Sequence, residues 1–321
     1  MQIARVSKRG RAVLATLIAL ILTVFLASPA RASSVRTWTV KVGQESKNGA
    51  IQGMAFGPGE IWINVGDKVH WVAGSMEIHT VSFFDAAHPV VPFSPDIDYM
   101  VVPTPETTID QPGQYRNSGL MATMSEPSGP PMPTSYDLTF NGVGEYHYIC
   151  YVHGEAMAGI VNVRAAGTPY PYSQHHYAAQ ANAIRAHVLA DGNALRFRAR
   201  HHANAHHVFV GASDMDALLM RFVRSKVTIR TGQSVTFDMG RNKFPVPHTV
   251  TFGPEPASQA PVGDPTHYSG GQLSSGILLA HRFGGTAVPS KFTVTFTKAG
   301  TYHYICMLHD GMGMKGTVVV R

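Results

Sequence analysis

The chain has little charge and only two cysteines. Charged side chains make up 14% of its 321 residues, and hydrophobic side chains make up 44%. A chain of this length is expected to form about two domains, and its composition includes enough apolar residues for two cores. The 31 glycines and 21 prolines, together with many short runs rich in Val, Thr, Phe and Tyr, favour β-structure over helix.

No acidic residue occurs before position 33. The basic residues of this segment are Arg5, Lys8, Arg9, Arg11 and Arg31. They flank an apolar run at 12–27, which is short for a membrane-spanning helix of ~20 residues, and residues 30–32 form an A-x-A-like cleavage site. We expect residues 1–32 to be a cleaved export signal, which predicts a periplasmic or extracellular protein. Retention of 12–27 as a membrane anchor is the alternative.

The positive charge of the chain lies mostly in this segment. The formal net charge is +6, and removal of the five basic residues before position 33 leaves +1. The remaining chain therefore lacks the globally basic surface that attracts nucleic acid. We expect no nucleic-acid partner.

Both cysteines lie in the same motif. Tyr-His-Tyr-Ile-Cys occurs at 146–150 and again at 302–306. The residues that follow are His153 and Met157 in the first copy and His309 and Met314 in the second. Two cysteines in an exported chain often form one disulfide, but a disulfide requires no matching His and Met. Thiolate, imidazole and thioether suit copper in both oxidation states, so the repeat indicates a duplicated metal site.

The sequence around the two motifs also repeats. Each copy contains short β-type runs in the same order, and several such runs at this spacing predict a sandwich or barrel. The predicted strands are 37–42, 61–65, 68–72, 78–83, 136–140 and 159–163 in the first copy and 227–231, 234–237, 247–252, 291–296 and 316–320 in the second.

A long insert precedes the cysteine strand in each copy. The inserts span 85–135 and 253–290, and loops of this length are usually functional or poorly ordered. The stretches 118–122 and 269–273 both consist mainly of small and apolar residues, which suggests that the inserts are related.

Residues 166–205 connect the two copies. We expect a short helix over 173–189 with Ser173 as its N-cap, then a strand over 194–198. The histidines here and just beyond are at 175, 176, 187, 201, 202, 206 and 207. These histidines are consistent with a site that loads copper or zinc, or with solvent-exposed residues of a linker. We favour the linker, because metal binding would have to order a mobile segment, which costs entropy.

Each copy resembles a cupredoxin, the plastocyanin and pseudoazurin type of blue copper domain. The family pattern is a His-x-Val, a Cys at the end of a late strand, a nearby His, and a Met before Gly-x-Val-x-Val. The matching residues are His79, Cys150, His153 and Met157, then His248, Cys306, His309 and Met314. The resemblance implies an all-β fold of two Greek-key β-sandwich domains at 33–165 and 206–321, joined by the His-rich linker and preceded by a signal helix.

The resemblance also implies two type 1 copper ions. In such a site a thiolate and two imidazoles form a near-trigonal plane, with a long axial thioether. Three residues separate His153 from Met157, whereas four separate His309 from Met314, and Met312 competes for the axial position. Thr80 and Thr249 stand where many family members have Asn, and their hydroxyls could still bond the cysteine loop.

His147 and His303 precede the cysteines by three residues. Because side chains alternate along a strand, we expect both histidines, and also Ile149, to point away from the interior. The two histidines fit ordinary surface residues better than electron-entry residues.

Three functions are compatible with these motifs. The leading hypothesis is an exported electron carrier with unknown redox protein partners, and the alternative is copper storage or delivery. Multicopper oxidases and copper nitrite reductases, which resemble this fold, need His-x-His pairs or a His directly before the Cys. No His-x-His occurs in the chain, and Ile149 and Ile305 precede the cysteines while Tyr151 and Met307 follow them. We therefore expect no enzyme.

Overall fold

The computed structural model describes residues 35–123 and 132–321, and the predicted signal segment lies outside them. The first half holds β1 (Thr37–Glu45), β2 (Ile51–Gly57), β3 (Glu60–Asn64), β4 (Lys68–Ala73), β5 (Ser82–Phe83), α1 (Asp98–Val101), β6 (Thr108–Ile109), β7 (Arg116–Asn117), β8 (Ser135–Phe140), β9 (Gly144–Cys150) and β10 (Gly154–Arg164).

A long helix, α2 (Gln174–His202), leads into the second half. That half holds β11 (His207–Ser213), β12 (Ala217–Val223), β13 (Lys226–Ile229), β14 (Ser234–Asp238), β15 (Thr251–Phe252), β16 (Pro261–Val262), β17 (Leu273–Ser275), α3 (His281–Gly284), β18 (Lys291–Thr295), β19 (Gly300–Ile305) and β20 (Lys315–Val320). Among the described residues, no helix has the length and apolar character needed to cross a membrane.

The two halves share one nine-stranded sheet. Its order is β18-β14-β11-β12-β2-β1-β4-β8-β6, so the order of strands repeats outward from the β2–β12 junction. These two strands are antiparallel, with Gly53 opposite Ala217 and Ile51 opposite Leu219. Each half adds a second sheet of its own, β3-β10-β9-β5-β7 in the first and β13-β20-β19-β15-β17-β16 in the second. The all-β class with two sandwiches is confirmed, while the predicted domain boundaries stay a prediction.

Each half has a buried core between its two sheets. In the first half the Trp71 ring packs against Phe83 and Tyr148, at centroid distances of 5.9 and 5.5 Å. In the second half Tyr304 packs against Phe237 at 5.0 Å. Tyr148 and Tyr304 each precede a cysteine by two residues, so the core fixes the strand that carries each thiol.

Helix α2 covers the junction of the two halves. Its N-cap is Ser173, as predicted, and the Ser173 hydroxyl accepts a hydrogen bond from the backbone N–H of His176. The strand predicted at 194–198 is wrong, because the helix continues through it. Its buried residues at the junction are Val188, Gly192, Leu195 and Ala199, and their spacing of three and four places them on one helical face.

Strands β2 and β12 have no counterpart among the predicted strands. Both are buried at six of seven positions, because α2 packs on the junction and the sandwich cores lie beneath it. A strand buried on both faces loses the polar–apolar alternation by which strands are recognised.

The inserts contain regular structure within their described parts. β7 of the first insert pairs with β5, and β17 of the second pairs with β15. The Ser118 hydroxyl accepts from the Val81 N–H at 2.8 Å, and the Ser275 hydroxyl accepts from the Val250 N–H at 2.9 Å. The inserts are thus related, but Ser118 corresponds to Ser275 and not to the stretch at 269–273 that the sequence suggested.

A bulkier residue at position 192 tests the packing of α2 on the junction. A Cβ at Gly192 lies 2.4 Å from Ile51 Cγ2, so Gly192→Val should lower the free energy of unfolding by about 1–3 kcal/mol through overpacking. Chemical denaturation measures this, and Ala186→Val at an exposed position of the same helix is the control. Equal effects of the two changes would contradict the close packing.

Candidate metal centres

Two buried clusters of Cys and His lie in equivalent places of the two halves. Site 1 consists of His79, Cys150 and His153, and site 2 consists of His248, Cys306 and His309. Within each site the three ligand atoms lie within 4.8 Å of one another. Among the described residues these are the two groups of three or more His, Cys, Asp or Glu that could hold a metal ion in this way.

Each site joins two distant segments of its half. The cysteine ends or directly follows the penultimate strand, β9 or β19, and the second histidine lies in the loop that follows. The upstream histidine comes from the segment before β5 or β15 and is held by the insert: His79 and Met121 exchange backbone hydrogen bonds, as do His248 and Leu278. The sandwich and its insert therefore fix the geometry of each site.

The distances within each site fit a single metal ion. In site 1 the two Nδ1 atoms are 3.2 Å apart, and Cys150 Sγ is 3.9 and 3.3 Å from Nδ1 of His79 and His153. In site 2 the corresponding distances are 3.0, 3.7 and 3.4 Å. An ion with bonds of ~2.3 Å to sulfur and ~2.0 Å to nitrogen in a trigonal plane would separate these atoms by about 3.5–3.8 Å.

Neither cysteine forms a disulfide. Cys150 and Cys306 are both free and fully buried, so the disulfide alternative is wrong. Burial raises the pKa of each thiol to about 11, although backbone N–H groups next to the sulfurs favour the thiolate. A metal ion that binds must therefore displace a proton from the sulfur.

The histidines are neutral near pH 7 because burial disfavours their charged form. Burial lowers the pKa of His153 to about 3 and that of His309 to about 4. Burial, and next the neighbouring histidine of the same site, lowers the pKa of His79 and His248 well below its usual value. The imidazoles are thus already in the state that binds metal.

Thr80 and Thr249 hold the cysteine loops, as the sequence predicts. The Thr80 hydroxyl accepts from the Tyr151 N–H at 2.8 Å, and the Thr249 hydroxyl accepts from the Met307 N–H at 2.8 Å. The backbone N–H of the same two threonines donates to the cysteine sulfur, at 3.3 and 3.4 Å. One residue in each half therefore fixes both the loop and the thiol.

A glycine stands behind the upstream histidine in each half. Gly43 and Gly211 have φ of +74° and +71°, and both lie where the pairing of the first hairpin shifts register. A Cβ at Gly43 would lie 2.4 Å from His79 Nε2, and one at Gly211 would lie 2.7 Å from His248 Nε2. Sequence patterns do not reveal these glycines because their contact depends on the sheet pairing.

The two methionines that the sequence predicts as axial ligands are each buried in the same core cluster as their cysteine. Met157 is buried in the cluster that contains Cys150, and Met314 is buried in the cluster that contains Cys306. The Met314 carbonyl also accepts from the Cys306 N–H at 3.0 Å. Met312 instead packs in the core cluster of the first half, which favours Met314 as the residue next to site 2.

The second half covers site 1. The Phe244 ring packs on the His153 ring at a centroid distance of 5.6 Å, and Phe244 and Val246 belong to the core cluster of the first half. By position relative to the upstream histidine, these two residues correspond to Ser75 and Glu77. No sequence pattern predicts this cover, because it depends on how the halves meet.

Site 1 has polar residues, Ser75 and Glu77, at the positions that Phe244 and Val246 occupy in the second half. The Ser75 hydroxyl lies 2.9 Å from His79 Nε2, and a Glu77 carboxylate oxygen lies 3.9 Å from His153 Nε2. Burial raises the pKa of Glu77 to about 7. The two clusters thus contain the same residue types but differ in the residues at these two positions.

The remaining histidine predictions have mixed outcomes. His147 and His303 are exposed as expected, but Ile149 is buried with Met100 and Tyr151 beneath the first insert. The seven histidines of the linker region lie on or after α2, and within the described residues they form no cluster of metal-ligand atoms.

Replacing Gly43 tests the support behind His79. Gly43→Ala should weaken metal binding at site 1 at least ~10-fold, as loss of outer-shell support usually does. Binding is measured by titration in a chain that carries Cys306→Ser, so that site 2 is silent. Gly167→Ala is the control, since Gly167 also has a positive φ of +82° but an added Cβ there would meet no atom within 4 Å. Equal losses would show that backbone strain alone is responsible.

Acid should destabilise the metal-free chain. The buried histidines have a lower pKa when folded than the unfolded value near 6.5, so protons bind first to the unfolded state. The stability they contribute is present above pH 6.5 and is lost as pH falls toward about 4 and 3, at no more than roughly 1.4 kcal/mol per pH unit for each histidine.

Urea unfolding at pH 7 and pH 4.5 measures this effect. His153→Gln should reduce the pH dependence, because it removes one of the buried neutral imidazoles. Equal stability of the metal-free chain at the two pH values would contradict the burial of neutral imidazoles.

Comparison with known proteins identifies the family. A sequence model of the copper binding proteins of the plastocyanin/azurin family matches residues 208–321. The plastocyanin of Scenedesmus fuscus is 32% identical over 109 residues, which cover 34% of this chain and 93% of that protein. The plastocyanin of Daucus carota is 32% identical over 114 residues, covering 35% and 97%.

A solved structure of amicyanin from Paracoccus versutus aligns with a TM-score of 0.24 and 21% identity, covering 40% of this chain and 81% of that one. The plastocyanins match over nearly their whole length at more than 30% identity. The chain therefore belongs to the copper-binding plastocyanin/azurin family.

Proposed function

We propose that the protein is an exported electron carrier with two mononuclear type 1 copper sites, one in each half. The observation that carries the proposal is the pair of buried Cys–His–His clusters, whose atoms already stand close to the separations of a trigonal ligand set. Family membership supports copper as the ion, and a thiolate with two imidazoles and a methionine is the donor set of blue copper.

Site 1 would be held by His79, Cys150 and His153 with Met157 as axial ligand. Site 2 would be held by His248, Cys306 and His309 with Met314 as axial ligand. When bound, copper supplies one-electron redox chemistry, and the protein's part is to hold it in one geometry.

The support around the ligands favours electron transfer over copper delivery. The upstream histidines are fixed by backbone hydrogen bonds to the inserts, and the cysteine loops are fixed by Thr80 and Thr249. A rigid, buried site changes little between oxidation states, whereas rapid release of copper to a partner requires an open or flexible one. The partners that we propose are redox proteins.

Copper loading of the cysteine variants tests the proposal. The loaded chain should bind two coppers and show the intense thiolate-to-copper absorption of a blue site. Cys150→Ser and Cys306→Ser should each remove one copper and part of the absorption, and the double variant should be colourless. Visible spectroscopy with metal analysis measures both quantities.

The same experiment shows which half binds each copper. His303→Gln, at an exposed position of the cysteine strand, is the control and should retain both coppers. A colourless loaded chain would refute the type 1 assignment, and a single cysteine variant with the full spectrum would show that its site binds no copper.

A further inference from the structure

Five basic residues are among those that line one surface cavity, which is far in sequence from most of the metal ligands. The cavity has a volume of about 300 Å³ and lies between helix α2, the end of β12 and the start of β13. Its basic residues are Arg196, Arg200, Arg221, Arg224 and Lys226, and no described acidic residue lines it. We propose that this cavity, the arginine pocket, binds a small multivalent oxyanion of the phosphate or polycarboxylate class.

The positive charge of the arginine pocket is a local feature. Outside residues 1–32 the basic and acidic residues nearly balance, with a net charge of +1 after the five early basic residues are removed. Yet none of the five pocket residues forms an ion pair with a described carboxylate, whereas their neighbour Arg198 lies 3.8 Å from both Asp191 and Asp214. An anion would supply the counter-charge that the described chain does not.

Arg221 is the half-buried floor of the pocket. Its guanidinium donates to the carbonyls of Met220 and Met312, each at 2.6 Å, and to that of Asn48. These acceptors are neutral, so the positive charge is not compensated. Burial, and next the charge of Arg196, lowers the pKa of Arg221, so these two cations repel each other.

The shape of the pocket suits a small ligand. A volume of about 300 Å³ is at the lower end of the range for small-molecule sites. Arg196 and Arg200 are four residues apart in α2, so they project from the same side of the helix. Guanidinium groups bind the oxygens of phosphates and carboxylates through paired N–H donors, which makes an oxyanion the matching chemistry.

The pocket also adjoins the loop of site 2. The Met312 carbonyl accepts from Arg221, and the Met312 N–H donates to the His309 carbonyl at 3.1 Å. Arg221 is therefore two hydrogen bonds from His309, a residue of site 2. Anion binding itself does not require copper, because every group that lines the pocket belongs to the chain.

Calorimetric titration with inorganic phosphate, pyrophosphate and citrate tests the proposal. The reduced, Cu(I)-loaded chain is titrated at constant ionic strength, with chloride as the reference anion, because Cu(I) is diamagnetic and binds citrate and pyrophosphate much more weakly than Cu(II) does. We expect saturable one-to-one binding of at least one of the three anions. The double change Arg196→Gln and Arg200→Gln should weaken it about tenfold or more, as loss of charged hydrogen bonds predicts.

Arg198→Gln is the matched control, since Arg198 lies on the same helix but is paired with carboxylates. It should leave the affinity unchanged, and amide resonances of Met312 and Gly313 should shift on binding in the unaltered chain. The proposal would be overturned if none of the three anions bound saturably and more tightly than chloride. It would also be overturned if Arg198→Gln weakened anion binding as much as the double change does. Binding of polyglutamate but of none of the small anions would also overturn it and would indicate an acidic protein surface instead.

Discussion

The convergence of one thiol and two imidazoles inside each sandwich is the interaction on which the rest of the structure depends. Cys150 and His79 are 71 residues apart in sequence, so only the folded sandwich brings them together. Their burial is unfavourable for the charged forms, since it raises the thiol pKa and lowers the imidazole pKa. A bound cation would reverse that preference at the sulfur, which is why metal binding and folding should be coupled.

The two clusters contain the same three residue types but have different residues beside them. Ser75 and Glu77 place polar groups beside the histidines of site 1. The corresponding Phe244 and Val246 are apolar and pack in the core of the first half, where Phe244 covers His153. The segment before the upstream histidine thus supports a site in one half and joins the halves in the other, so the copies are not interchangeable.

The clustered cysteines and histidines could be predicted from the sequence because they lie in short motifs that occur twice. The junction could not be predicted in this way. Its strands β2 and β12 are buried on both faces and show no alternation, and residues 194–198 alternate like a strand although they belong to α2. The contacts of Gly43 with His79 depend on sheet register, which a pattern along the chain does not specify.

In the proposed function, each copper occupies a site whose ligands are already in place. X-ray absorption at the copper edge of the oxidised and the reduced protein tests it most directly. We expect one sulfur and two nitrogens per copper at ~2.0–2.3 Å in both states. A change in the number or type of these ligands on reduction, or the absence of sulfur at this distance, would contradict it.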